Sequence, residues 1–151
     1  MDAGDVVRVD DLRDDQFAQW LPLWQGYQAF YGVEIAEDVT RLTWRRFHDP
    51  DEPVHALGGF VDDRLVGIVH YLFHRSTWAA ADYCYLQDLF TAEAARGHGV
   101  GRALIEAVYG RAAAAGADRV YWLTQVSNTV ARGLYDKVAD DTGFMQYRKK
   151  L

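Results

Sequence analysis

Two hydrophobic periods alternate along the chain, and the switches between them lay out its elements. Val6-Val7-Arg8-Val9 is β-branched and predicts a first strand, closed by an acidic turn at Asp10-Asp11. Phe17, Trp20, Trp24, Tyr27 and Tyr31 then recur at three- and four-residue steps, the stripe of a helix. Pro22 falls inside that stripe. The expectation is therefore a short turn and a helix from near Leu21, with proline in its first turn and Gly32 at its end. A second helix is predicted over 36–47, stopping before Asp49-Pro50.

Residues 54–61 and 65–73 predict strands joined as a hairpin by Asp62-Asp63-Arg64. On the second strand His70, Leu72 and His74 share one face, and Val69, Tyr71 and Phe73 the other. After a loop at 74–81, the stretch from Tyr83 to Thr91 is apolar and aromatic nearly throughout and reads as a buried strand. Val100, Ala103, Leu104, Ala107, Val108, Ala112 and Ala115 predict an amphipathic helix capped by Gly116. A strand over 120–124 follows. Ser127-Asn128 then caps a helix whose apolar face is Val130, Ala131, Leu134 and Val138, and a last strand covers 142–147. The basic tail Arg148-Lys149-Lys150 is expected in solvent. The order β-α-α-β-β-β-α-β-α-β predicts an α/β fold with a mixed sheet flanked by helices. A chain of 151 residues suits a single domain over 1–151.

Arg96-Gly97-His98-Gly99-Val100-Gly101 lies where the core strand turns into the amphipathic helix. Glycines there let backbone N–H groups converge, and the helix start adds about half a positive charge. Such a bend suits an anion, typically a phosphate, and Arg96 and Arg102 flank it. It is not a P-loop, because Gly101-Arg102-Ala103 replaces the required Gly-Lys-Ser/Thr. Nor is it a dinucleotide fingerprint, since its third glycine arrives one residue early.

Charge and cysteine content narrow the setting. A net charge of −6 and a pI near 5.2 disfavour broad contact with nucleic acid and mildly favour cationic partners. No apolar run approaches the roughly 20 residues that span a bilayer. The acidic start lacks the basic opening of a signal peptide, so a cytoplasmic enzyme is expected. Cys84 is the only cysteine, which leaves no intrachain disulfide and no multi-cysteine metal site. No metal is expected.

Arg96-x-x-Gly99-x-Gly101 resembles the pyrophosphate-binding signature Gln/Arg-x-x-Gly-x-Gly/Ala of the GNAT superfamily of acetyl-CoA-dependent N-acetyltransferases, and the element order is similar over most of the chain. The resemblance implies a mostly antiparallel sheet whose fourth and fifth strands splay around the pantetheine arm of acetyl-CoA. It implies pyrophosphate on Arg96, Gly97, His98, Gly99, Val100, Gly101 and Arg102. Pantetheine and acetyl contacts fall to the backbone of Leu89, Phe90 and Thr91 and to the segment carrying Asn128 and Ala131. Tyr135, seven residues after Asn128, matches the tyrosine that protonates the departing thiolate. A phenol of pKa about 10 can do so at neutral pH; the alternative for Tyr135 is packing at the helix edge. Trp24, Tyr27 and Tyr31 lie on the helix that walls the acceptor cleft, where cation–π contact would hold an ammonium; ordinary core packing is the competing reading for these rings.

Two stretches depart from the family pattern. Tyr85-Leu86-Gln87-Asp88-Leu89-Phe90-Thr91 resembles the diamine acetyltransferase stretch, but Gln87 replaces its substrate-associated glutamate and cannot accept a proton. Gln87 is then expected to hydrogen-bond substrate or water. The base stays open among Asp88, if a β-bulge re-aims it, and a water chain to His70, His74 or a carboxylate. Seven residues, 136–142, separate Tyr135 from Gly143-Phe144; with the aromatic first helix this is similar to the yeast histone- and D-amino-acid-acetylating branch. The resemblance implies an enzyme acetylating a small-molecule primary amine by direct transfer in a ternary complex, and a homodimer. A protein lysine or N-terminus as acceptor, and a non-catalytic acyl-CoA-binding module, are the alternatives.

Overall fold

The computed structural model describes residues 6–151; the acidic stretch 1–5 lies outside them. Strands β1 (Arg8–Asp11), β2 (Val54–Val61), β3 (Arg64–His74), β4 (Tyr83–Thr91) and β5 (Arg119–Tyr121) form one sheet in that order. The first four pair antiparallel, and β5 runs parallel to β4. Helices α1 (Phe17–Tyr31) and α2 (Glu37–Phe47) separate β1 from β2, α3 (Val100–Ala114) joins β4 to β5, and α4 (Thr129–Val138) follows β5.

Alternation along the strands splits the core into two layers. Leu57, Val69, Cys84 and Leu86 pack with Val100, Leu104, Ile105 and Val108 of α3. Ala56, Phe60 and Ile68 pack with Trp20, Leu23, Trp24 and Trp44 of α1 and α2. The β2–β3 hairpin turns through Asp62 and Asp63, both at positive φ, where aspartate is tolerated. Gly67 on β3 lets α3 come close: a Cβ there would stand 2.7 Å from Val100 Cγ1. That approach sets the start of α3 directly over β3.

Four expectations need correction. Asp10 and Asp11 belong to β1 and pair with Gly58 and Leu57; Arg111 stabilises this exposed edge by an ion pair of 2.8 Å to Asp11. Helix α1 begins at Phe17, behind a single 3₁₀ turn at Asp14–Gln16, and runs through Pro22. A mid-helix proline costs about 3 kcal/mol. Each large buried ring contributes about as much, and Trp20 and Trp24 on either side of Pro22 are both in the core and stack at 6.0 Å. Strand β5 ends at Tyr121, short of residue 124, because Trp122 turns to pack on Tyr109 and Tyr135. Finally, no strand forms at 142–147. Phe144, Met145 and Tyr147 there are exposed, and the hydrogen bonds of the segment are local, such as Gly143 N–H to Asp141. Although the outer edge of β5 is unpaired among the described residues, this segment buries none of its apolar side chains, and apolar content alone does not make a strand.

Candidate active site

A gap opens beside β4. Its ladder with β3 continues to Thr91, opposite Gly67, but its ladder with β5 stops at Tyr85, opposite Tyr121. From residue 86 to 91 the edge facing β5 carries no strand partner among the described residues. Buried backbone N–H groups need partners. An extended chain with amide groups of its own, such as a pantetheine arm, fits this edge as a surrogate strand. Leu89, Phe90 and Thr91 lie along it and are partly buried.

At the end of β4 the chain passes a 3₁₀ turn, Glu93–Ala95, and reaches the glycine bend. Gly97 and Gly99 have φ of +81° and +82°, which an L side chain adopts only with strain. A Cβ at either would meet nothing within 4 Å, so the space above the bend is open. Gly99 is the N-cap of α3 and no side chain caps that end. The first N–H groups of α3, from Val100 to Arg102, have no intrahelical acceptor, and the helix dipole points its positive end there. Arg96 is held beside the bend by its Nε–H donating to the Thr91 carbonyl at 3.0 Å and by stacking over Phe90. Arg102 is turned to Glu106 at 2.9 Å, and His98 is half-buried. Bend and open edge are contiguous, as a diphosphate joined to a pantetheine requires.

Helix α4 forms the far wall. The Asn128 side chain accepts from Ala131 N–H at 3.4 Å, capping α4 and leaving its own NH₂ free to donate. Leu134 lies 3.5 Å from where a Cβ of Gly101 would stand, so α4 leans on the start of α3. Tyr135 packs edge-on against Trp122. Burial, and then the nearby Tyr31 phenol, push the Tyr135 pKa up, which keeps the phenol a proton donor.

Tyrosines of α1 and β4 gather around Asp88. Tyr27, Tyr31 and Tyr85 all have raised pKa values, each through burial first and then the charge of Asp88. Tyr27 and Tyr31 meet at a tilt with ring centroids 4.8 Å apart, Tyr31 being exposed and Tyr27 half-buried. Trp24 is instead buried between Trp20 and Tyr27, and its indole N–H has no partner. Its ring belongs to the core behind the cleft rather than to the cleft surface. Gln87 is exposed. His74 lies nearby, its ring bridging the Arg75 carbonyl and the Tyr121 hydroxyl, each at 2.7 Å.

His70 and Asp88 form a contact that the strand pattern did not predict. His70 Nδ1 stands 3.0 Å from Asp88 Oδ2, and Trp20 Nε1–H donates to His70 Nε2 at 3.0 Å. The sequence signal was faint: a histidine within an apolar strand. A separate groove of about 1100 Å³ between α1 and α2, lined by residues such as Leu21, Gln28, Glu37 and Arg41, contains none of these side chains. No group of three His, Cys, Asp or Glu among the described residues is placed to hold a metal, and no described helix is long and apolar enough to cross a membrane.

Known proteins share this arrangement. Residues 9–139 match the acetyltransferase (GNAT) family. The chain is 36% identical over 146 residues to the D-amino-acid N-acetyltransferase HPA3 of Saccharomyces cerevisiae, covering 95% of this chain and 89% of that protein. Among solved structures, it superposes on an aminoglycoside N-acetyltransferase, AAC(6')-Iy in complex with CoA, with a TM-score of 0.83 at 14% identity, over 97% and 96% of the two chains. A ribosomal-protein-alanine N-acetyltransferase of Brucella melitensis gives 0.81 at 19% identity, over 97% of this chain and 100% of the other. These last two establish the fold, and the family match and the yeast relative carry the activity: the chain belongs to the acetyltransferase (GNAT) family and is an N-acetyltransferase that uses acetyl-CoA.

Proposed function

We propose that this N-acetyltransferase acts on the primary amine of a small molecule, with a free amino acid, including the D form, as the favoured acceptor, by direct transfer in a ternary complex. The single observation that carries this reading is the position of Asp88 and the tyrosines around it. The Asp88 carboxylate and the Tyr27 ring stand beside the open edge of β4, which supports an ammonium-bearing acceptor set next to a thioester. Leu89 to Thr91 hold the acyl arm by main-chain N–H groups, one of which polarises the thioester carbonyl. Arg96 and the amides from Gly97 to Arg102 take the diphosphate, and Asn128 with Ala131 supports the pantetheine. Tyr135 donates the proton that the leaving thiolate requires.

We favour an amino acid over a polyamine because the guanidinium of Arg148, in the exposed C-terminal tail, stands on the Tyr85 side. Arg148 is near enough to Tyr85 to oppose the rise in its pKa. A guanidinium suits an acceptor with a carboxylate and repels a second ammonium. The name of the yeast relative points the same way.

The test is thiol release from acetyl-CoA across D- and L-amino acids, polyamines, and peptides with a lysine or a free N-terminus. Turnover confined to peptides would replace the small-molecule reading, and CoA binding without turnover on any amine would replace it with a sensor. We also read the protein as a single-domain cytoplasmic homodimer. Exposed Phe144, Met145 and Tyr147, and a β5 whose outer edge is unpaired among the described residues, support the dimer, and sedimentation velocity tests it.

A further inference from the structure

On a regular pleat Asp88 would share a face with Cys84 and Leu86 and point toward α3. The β3–β4 register breaks that pattern: His70 pairs with Asp88 and Tyr71 with Leu86, leaving Gln87 unpaired between them. Gln87 is the extra residue of a β-bulge, and every later side chain on β4 changes face. Cys84 and Leu86 pack in the α3 layer, whereas Phe90 packs in the α1 layer. Asp88 is thereby turned to the α1 side, beside His70.

What holds Asp88 there follows from donor and acceptor chemistry. An indole nitrogen only donates, so His70 Nε2, 3.0 Å from Trp20 Nε1, must accept. The imidazole proton then sits on Nδ1, where it donates to Asp88 Oδ2 at 3.0 Å. Trp20 is 0% and His70 3% exposed, so neither bond has water as a competitor. The Asp88 side chain keeps 13% exposure, enough to meet a ligand. The other groups around it are phenols: Tyr27 and Tyr31 from α1, and Tyr85 from β4.

We propose that Asp88 is the proton acceptor of the acetyl transfer, and that His70, locked as its Nδ1–H tautomer by Trp20, is the positioning residue that aims the carboxylate. The inference rests on the amine-acceptor reading above. In the step, the neutral amine nitrogen bonds to the thioester carbonyl carbon and its surplus proton passes to Asp88. The C–S bond breaks, and the thiolate takes the proton of Tyr135. Solvent then removes the proton from Asp88 and restores that of Tyr135. The bulge thus supplies one position later the carboxylate that Gln87 lacks.

The test compares wild type, Asp88→Asn and Trp20→Phe for CoA affinity and amine turnover, with ¹⁵N NMR of His70 in the wild-type protein. Asp88→Asn is expected to keep CoA affinity and to lose about 100-fold or more in kcat/KM for the amine. His70 is expected to show a protonated Nδ1 and a bare Nε2. In Trp20→Phe that restraint is gone, so a ¹⁵N spectrum of the variant should show a mixture of the two His70 tautomers, and kcat should fall with CoA affinity kept. Turnover of Asp88→Asn within about twofold of wild type, or a wild-type His70 protonated on Nε2, would overturn the proposal; the second readout needs no variant to fold. Should wild type acetylate only peptides, the small-amine reading falls alone, and the same Asp88→Asn comparison on the peptide still decides this one.

Discussion

Trp122 meets Tyr135 edge-on, with ring centroids 5.4 Å apart and planes at 67°. Because the chain leaves β5 at Tyr121, Trp122 is free to turn under α4 and exclude water from one side of the phenol. That burial is the first cause of the raised Tyr135 pKa. Replacing Tyr135 by Phe keeps the packing and removes the acid. The expected loss in kcat is at least tenfold, within the roughly 10²–10⁴ that general acid–base groups contribute, with little change in the KM for acetyl-CoA. Steady-state kinetics with both substrates varied checks this, and an unchanged kcat would remove Tyr135 from the step.

A raised phenol pKa has a definite sign for catalysis. The neutral, proton-donating form persists above the ordinary tyrosine value of about 10. Loss of Tyr135 as acid therefore produces no fall in kcat below about pH 10. A kcat profile that declines between about pH 8 and pH 9 in wild type, and loses that decline in Tyr135→Phe, would show the phenol titrating too early.

Arg96, next to the bend in sequence, is tied to Thr91 and Phe90. Arg96→Ala should raise the KM for acetyl-CoA about tenfold and leave binding of a pantetheine lacking the diphosphate unchanged. Calorimetry with both ligands separates these. An equal loss for the two would place Arg96 on the arm instead.

Gly67 sets how closely α3 approaches the sheet. Gly67→Ala puts a methyl 2.7 Å from Val100 Cγ1 and 3.0 Å from Leu104 Cδ1. Overpacking of this kind costs about 1–3 kcal/mol, and here it also lifts the helix start that receives the diphosphate. Chemical denaturation should show the lost stability, and acetyl-CoA affinity should fall with it.

Arg148 should matter only for acceptors that bear a carboxylate. Arg148→Ala is expected to raise the KM for an amino acid severalfold and to leave the KM for its decarboxylated amine unchanged, as measured in paired assays. Equal effects on both would detach Arg148 from acceptor choice.

Much of this arrangement was readable before any coordinates. Helix α3, the β2–β3 hairpin, the Asn128 cap and the glycine bend each follow from local period or local chemistry, and each lies where the sequence placed it. The misses involve information held elsewhere in the chain. Pro22 reads as a first-turn residue only until the burial of Trp20 and Trp24 is counted against it. The bulge at Gln87 leaves no mark on β4 itself, since it is defined by the register of β3. His70 gains its role from Trp20, fifty residues away in sequence. Residues 142–147 carry the apolar content of a strand, yet bury none of it.

The grip on the cosubstrate is tested most directly by following backbone amide resonances while unlabelled coenzyme A is added to ¹⁵N-labelled protein. The amides of Gly97 to Arg102 and of Leu89 to Thr91 should shift together and saturate with one binding constant. Saturable binding of coenzyme A that leaves both sets of amides unmoved would contradict the account.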